Sequence, residues 1–127
     1  MSPYMHLSGR ILLALIFIIS GLGKLANPAG TAGFMESMGV PGMLVWPTMA
    51  LEILGGIALV IGFQTRIAAF ALAVFSIAAA VIFHHNFADQ IQMIMFLKNL
   101  SIAGGLLLLS ASGALALGVD CRKQRGL

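Results

Sequence analysis

The sequence predicts an all-α polytopic membrane protein: a four-transmembrane-helix bundle with a short interfacial helix between spans 1 and 2. Three observations carry that expectation. First, 60% of the 127 residues are hydrophobic and only 9% are charged, where a soluble domain carries roughly 25% charged residues. Second, the apolar residues fall into four runs. A span of a ~30 Å hydrocarbon core needs about 20 residues, so four use about 80 and leave about 47 for two ends and three short loops. Third, the 15 glycines suit close helix packing in lipid better than disorder. One domain over residues 1–127 is expected. Length and composition exclude a soluble enzyme with its own nucleotide-binding fold. The net charge of +3 comes from seven scattered Lys and Arg residues, so nucleic acid is not an expected partner.

The first span is read from Leu7 to Ala26, with Arg10 and Lys24 near enough to its ends to snorkel to the interfaces. A signal peptide is the competing reading, because a charged start, the apolar Ile11 to Ile19 and the small Ser20, Gly21 and Gly23 follow that pattern. Asn27 then offers an N-cap, Pro28 a first helical position and Gly39 a left-handed stop, with Pro41 beyond. Those signals predict a short helix. Its Phe34, Met35 and Met38 suit a segment lying at the membrane interface, against the alternative of a plain loop. The second span is read from Met43 to Gly62, with Trp46 as an interfacial anchor and Glu52 well inside. Phe63, Gln64, Thr65 and Arg66 leave room only for a tight helical hairpin. The third span runs from Ile67 to Phe83, rich in alanine. A polar stretch from His84 to Gln92 precedes the fourth, read from Ile94 to Val119, and a basic tail follows.

Four spans place both termini on one side. If that side is the cytoplasm it collects Arg10, Arg66, Arg122, Lys123 and Arg125 and leaves Lys24 and Lys98 outside, the bias of the positive-inside rule. A multi-pass protein of a bacterial or archaeal inner membrane with cytoplasmic N and C termini is therefore expected. Arg10 and Arg66 become structural residues of the cytoplasmic side.

Glu52 is the most informative residue. An ionisable group inside a span costs a few kcal/mol and normally faces the bundle interior. Nine residues below Met43, it lies roughly 13 Å into the span, where it needs a partner or a proton. Lys24 and Lys98 are the candidates. A structural ion pair and a ligand or proton site are both open readings of that cluster. His84 and His85 end the third span, either as solvated interfacial residues or as contacts for a quinone head or another polar substrate. With Asn99 they complete a candidate binding cluster of Lys24, Glu52, His84, His85, Lys98 and Asn99 in the outer half of the bundle.

No metal site is expected from the residue types. His6 lies on the opposite side from His84 and His85, so two imidazoles cannot meet across a haem. One carboxylate within a span and no Glu-x-x-His pair are too few for a dinuclear centre. Cys121 is single, which leaves no dithiol pair. Met35, Met38, Met43, Met93 and Met95 read as apolar filling in preference to copper ligands. Any redox activity would then run through a bound quinone or a redox partner protein.

In order, Arg10, Ser20-Gly21, Lys24-Leu25, Leu51-Glu52 with Gly55-Gly56, Gly62-Phe63, Thr65-Arg66, His84-His85, Phe96-Leu97-Lys98-Asn99 and Val119-Asp120 resemble the DoxX family of small bacterial and archaeal membrane proteins. The resemblance covers nearly the whole chain. It implies a four-helix membrane bundle and an oxidoreductase association, linked in some members to quinone-dependent sulfur oxidation or redox-stress complexes. Two functions follow as expectations: an accessory or quinone-interacting subunit of a membrane oxidoreductase system, or a non-enzymatic carrier or scaffold binding a small solute in the same cluster. Whether the chain is itself an enzyme, and whether it forms an oligomer, stay open.

Overall fold

A computed structural model describes residues 2–84, 86–114 and 118–119. The described residues form five α-helices and no strand: α1 (Ser2–Ala26), α2 (Pro28–Ser37), α3 (Val45–Ile61), α4 (Thr65–Phe83) and α5 (Gln90–Ser112), with one 3-10 turn at Gly42–Leu44. Four of them are long and apolar enough to cross a membrane, α3 together with its leading 3-10 turn. Their outer faces carry large apolar side chains such as Leu12, Leu54, Ile67 and Leu108, each at least two-thirds exposed. In water that surface would aggregate; in a bilayer it is solvated by lipid.

The breaks between helices are where the residue types place them. Asn27 accepts from the Gly30 backbone N–H at 3.0 Å and opens α2 with Pro28 in its first turn. Gly39 adopts φ +81° after α2, and Gly62 closes α3 at φ +74°. Only Phe63 and Gln64 follow before α4, so α3 and α4 form the expected hairpin.

Three helix ends differ by four residues or more from the sequence reading. α1 starts at Ser2, not Leu7, because nothing in its polar first turns breaks a helix. α5 starts at Gln90 and stops at Ser112, where the run had been read from Ile94 to Val119. Asp89 turns the polar stretch into a helix start by accepting from the Ile91 N–H at 3.0 Å. Gly113, at φ +72°, ends the helix. Its last carbonyls are taken by Arg66, which donates to the oxygens of Ser110, Ala111 and Ser112. The tail with Cys121, Arg122, Lys123 and Arg125 lies outside the described residues.

α1 packs closely on α3 and α4 on α5, α3 joins the two pairs, and α1 meets α5 at few points. The α1–α3 seam is made by glycine. A Cβ on Gly21 would lie 2.5 Å from Ile53 Cγ1, and one on Gly56 2.6 Å from Ile18 Cγ1 and 3.3 Å from the Ala14 carbonyl. Gly55 turns the other way and receives Leu72 of α4 at 3.2 Å. The core between the pairs is Ala14, Phe17, Leu59, Leu72, Ala73 and Leu106 with their neighbours.

Candidate functional site

The site lies at the end of the bundle covered by α2. Glu52 is 3% exposed on the inner face of α3. Lys24, in the last turn of α1, brings its Nζ to 2.8 Å from Glu52 Oε1. The two meet because Gly21 lets α1 approach α3 within one turn of Lys24. Lys24 Nζ also donates to Ser20 Oγ, four residues earlier, at 2.7 Å. Lys24 is therefore the partner of a carboxylate oxygen that is itself buried.

The ion pair borders a cavity of about 270 Å³ to which all five helices contribute. Asn99 of α5 lines it opposite, with its Nδ2 donating to the Ser76 carbonyl in a long 3.4 Å bond. His84 stands at its edge, Nδ1 2.9 Å from Gln92 Oε1. The other walls are aromatic: Phe17, Phe75, Phe83 and Phe34. α2 forms the roof. Its Met35 is buried against Val45 and Met49, and Phe34 stacks on Phe83 with centroids 5.6 Å apart and rings at 27°. Of the apolar stripe expected at the membrane interface, Met35 is spent on covering the bundle, while Phe34 stays 54% exposed.

Of the candidate cluster, the structure brings Lys24, Glu52, His84 and Asn99 to one cavity. Lys98 is a correction. It is exposed and absent from the lining, because α5 buries Ala103, Leu106 and Leu109 and the same face carries Asn99 and Ile102, which turns position 98 outward. His85 lies outside the described residues. Thr31, Thr48 and Ser76 are not singled out by the sequence, although each supplies a hydroxyl to the wall. Ser76 had a signal: it shares the spacing of Ala69, Leu72, Ala73 and Ala80 on the buried face of α4, and a polar residue on such a face needs a polar neighbour.

The opposite end of the bundle holds the two structural arginines. Arg10 does not snorkel to the interface; it is 2% exposed and donates to the Ala114 carbonyl at 3.3 Å. It lies under the α3–α4 turn, where a Cβ on Gly62 would come 2.8 Å from its Nη1. Nearby, His6 Nε2 and Ser112 Oγ are hydrogen-bonded at 3.0 Å, so the start of α1 and the end of α5 lie on the same side. Among the described residues no three His, Cys, Asp or Glu side chains come together as a metal site.

The DoxX family model matches residues 5–85, which span α1 to α4 and include Lys24, Glu52 and His84. The chain belongs to the DoxX family. Two DoxX-like relatives from Escherichia coli (strain K12) agree along most of their length. Inner membrane protein YqjF is 45% identical over 114 residues, covering 90% of this chain and 88% of its own. Inner membrane protein YphA is 38% identical over 127 residues, covering 94% and 91%. A protein of Bacillus subtilis (strain 168) bearing the name "Putative oxidoreductase CatD" is 32% identical over 72 residues, 57% of this chain and 54% of its own. No solved structure matches the chain.

Proposed function

We propose that this DoxX-family membrane protein is a quinone-interacting subunit of a membrane oxidoreductase system, binding the quinone ring in the cavity beside Lys24 and Glu52. The observation that carries the reading is the ion pair of Lys24 with the buried Glu52, on the wall of a cavity lined by four phenylalanines and by Asn99. At about 270 Å³ the cavity falls just under the 300–1,000 Å³ usual for drug-sized ligands, which suits one substituted ring. Lys24 Nζ and Asn99 Nδ2 are donors for the carbonyl oxygens of a quinone, and Glu52 is an acceptor for the hydroxyl of a quinol. Both states of the ring therefore find partners in the same cavity. In this reading the electrons exchanged with the ring pass to or from a redox partner protein. The name carried by the Bacillus subtilis relative supports an oxidoreductase setting.

The test is binding of a tail-less dimethoxy-methyl benzoquinone to the protein in lipid nanodiscs, read by native mass spectrometry. One quinone per chain is expected. Glu52→Gln or Asn99→Ala should weaken it about tenfold or more, the scale of a lost hydrogen bond to a charged or buried group, while Glu36→Gln on exposed α2 leaves it unchanged. Absence of saturable binding, or binding indifferent to Glu52 and Asn99, overturns the reading. The carrier or scaffold alternative rests on the ion pair itself, which ties α1 to α3 with no ligand needed. Solute uptake into proteoliposomes without redox change would favour it.

A further inference from the structure

A second cavity, of about 310 Å³, lies at the Arg10 end of the bundle and is lined by α1 and α5 alone. Gly9 and Leu13 form one wall, Gly105 and Leu109 the other, and the His6–Ser112 hydrogen bond stands at its end. The ring cavity uses the same two helices one turn further along, at Ile16 and Phe17 of α1 and at Asn99 and Ile102 of α5. The two cavities thus lie one turn apart along the same α1–α5 seam. From Asn99 to Ser112 it runs roughly 20 Å at ~1.5 Å per residue.

Glycine has opposite effects at the two seams of α1. At the α3 seam Gly21 and Gly56 are filled by Ile53 and Ile18. At the α5 seam a Cβ on Gly9 would meet nothing within 4 Å, and one on Gly105 only Leu13, at 3.4 and 3.7 Å. Small residues in membrane helices normally bring backbones together; here they widen a groove. Ile16, on the wall of the ring cavity, is 39% exposed, so the cavity opens toward lipid on this side.

We propose that the α1–α5 groove holds the apolar tail of the ligand whose ring sits beside Glu52, which makes the ligand a long-chain membrane quinone with its tail lying along α1 and α5. This rests on the quinone reading above. Alignment of the second cavity with the ring cavity along one seam, its mostly apolar walls and its polar residues His6, Arg10 and Ser112 select a tail of bounded length attached to that ring over a free acyl chain. The α2 roof, with Phe34 on Phe83, covers another side of the ring.

The experiment uses a benzoquinone whose decyl tail ends in a diazirine, photolysed with the protein in nanodiscs, with labelled residues located by peptide mass spectrometry. Saturable labelling of residues 9–13 and 105–109 is expected, suppressed by excess of the tail-less quinone. Gly9→Leu, which places its side chain where nothing stands, should reduce that labelling about tenfold by filling the groove while leaving tail-less binding unchanged. Gly105→Phe serves as a second variant should the first not fold. Labelling that is saturable but falls elsewhere, or that resists Gly9→Leu, overturns the tail groove and leaves ring binding standing. Labelling of the groove that the tail-less quinone does not suppress marks a bulk lipid chain or a second copy and also overturns it. If the tail-less quinone fails to bind at all, the ring site falls and the groove with it.

Discussion

A carboxylate inside a membrane span is stabilised only by what stands next to it, and for Glu52 that is Lys24 at 2.8 Å. The partners are not equivalent. Lys24 ends α1 and is 22% exposed, so its flexible stem can carry the ammonium outward to the interface, whereas the carboxylate of Glu52 is 4% exposed and has no such route. Removing the lysine should therefore hurt more than removing the acid. Lys24→Met is expected to cost about 3 kcal/mol, the scale of an orphaned buried charge, with Glu52→Gln costing less and the double variant less than the sum. Thermal unfolding of the four proteins in one detergent checks the order. A lower midpoint for Glu52→Gln than for Lys24→Met would show that the lysine cannot relocate.

Helix contacts here are decided by which glycines meet a neighbour. Gly56→Leu would drive a side chain into Ile18 and the Ala14 carbonyl, where the backbone cannot yield, and should destabilise the α1–α3 pair by about 1–3 kcal/mol or more. Gly104→Leu meets nothing within 4 Å and should stay within about 0.5 kcal/mol of the parent. A matched pair of melting curves separates them, and equal losses would refute the packing. The sequence shows the glycines but not their partners. Element ends were legible where a residue type acts locally, as at Asn27, Gly39 and Gly62. The stop of α5 at Ser112 was not, because Arg66, some 44 residues away in the chain, takes its carbonyls. The site divides in the same way. Glu52 and Lys24 stand out as charges in apolar runs, while the outward turn of Lys98 and the roof made by Phe34 depend on helix rotation and on how α2 folds back, which spacing alone leaves open.

At the scale of the molecule, the two ends of the bundle differ in a way that bears on orientation. One end carries Arg10 and Arg66, both engaged with backbone carbonyls, and holds the start of α1, the α3–α4 turn and the end of α5. The other carries Lys24, α2 and the ring cavity. With Arg122, Lys123 and Arg125 in the sequence that follows α5, the positive-inside rule predicts that the first end is the one retained in the cytoplasm. On that prediction the cavity roof faces the outer side, and a ligand of the proposed kind would exchange with the outer leaflet. Reporter fusions after Met38 and after Arg125 are expected to report opposite sides, the first outside and the second in the cytoplasm. The same side for both would contradict the four-span count, and opposite sides in the reverse order would turn the bundle over and place the quinone ring at the inner leaflet. Arg66→Glu offers a second check: it removes the cap on α5 and reverses one charge of the turn, so a mixed topology should appear if orientation depends on that end.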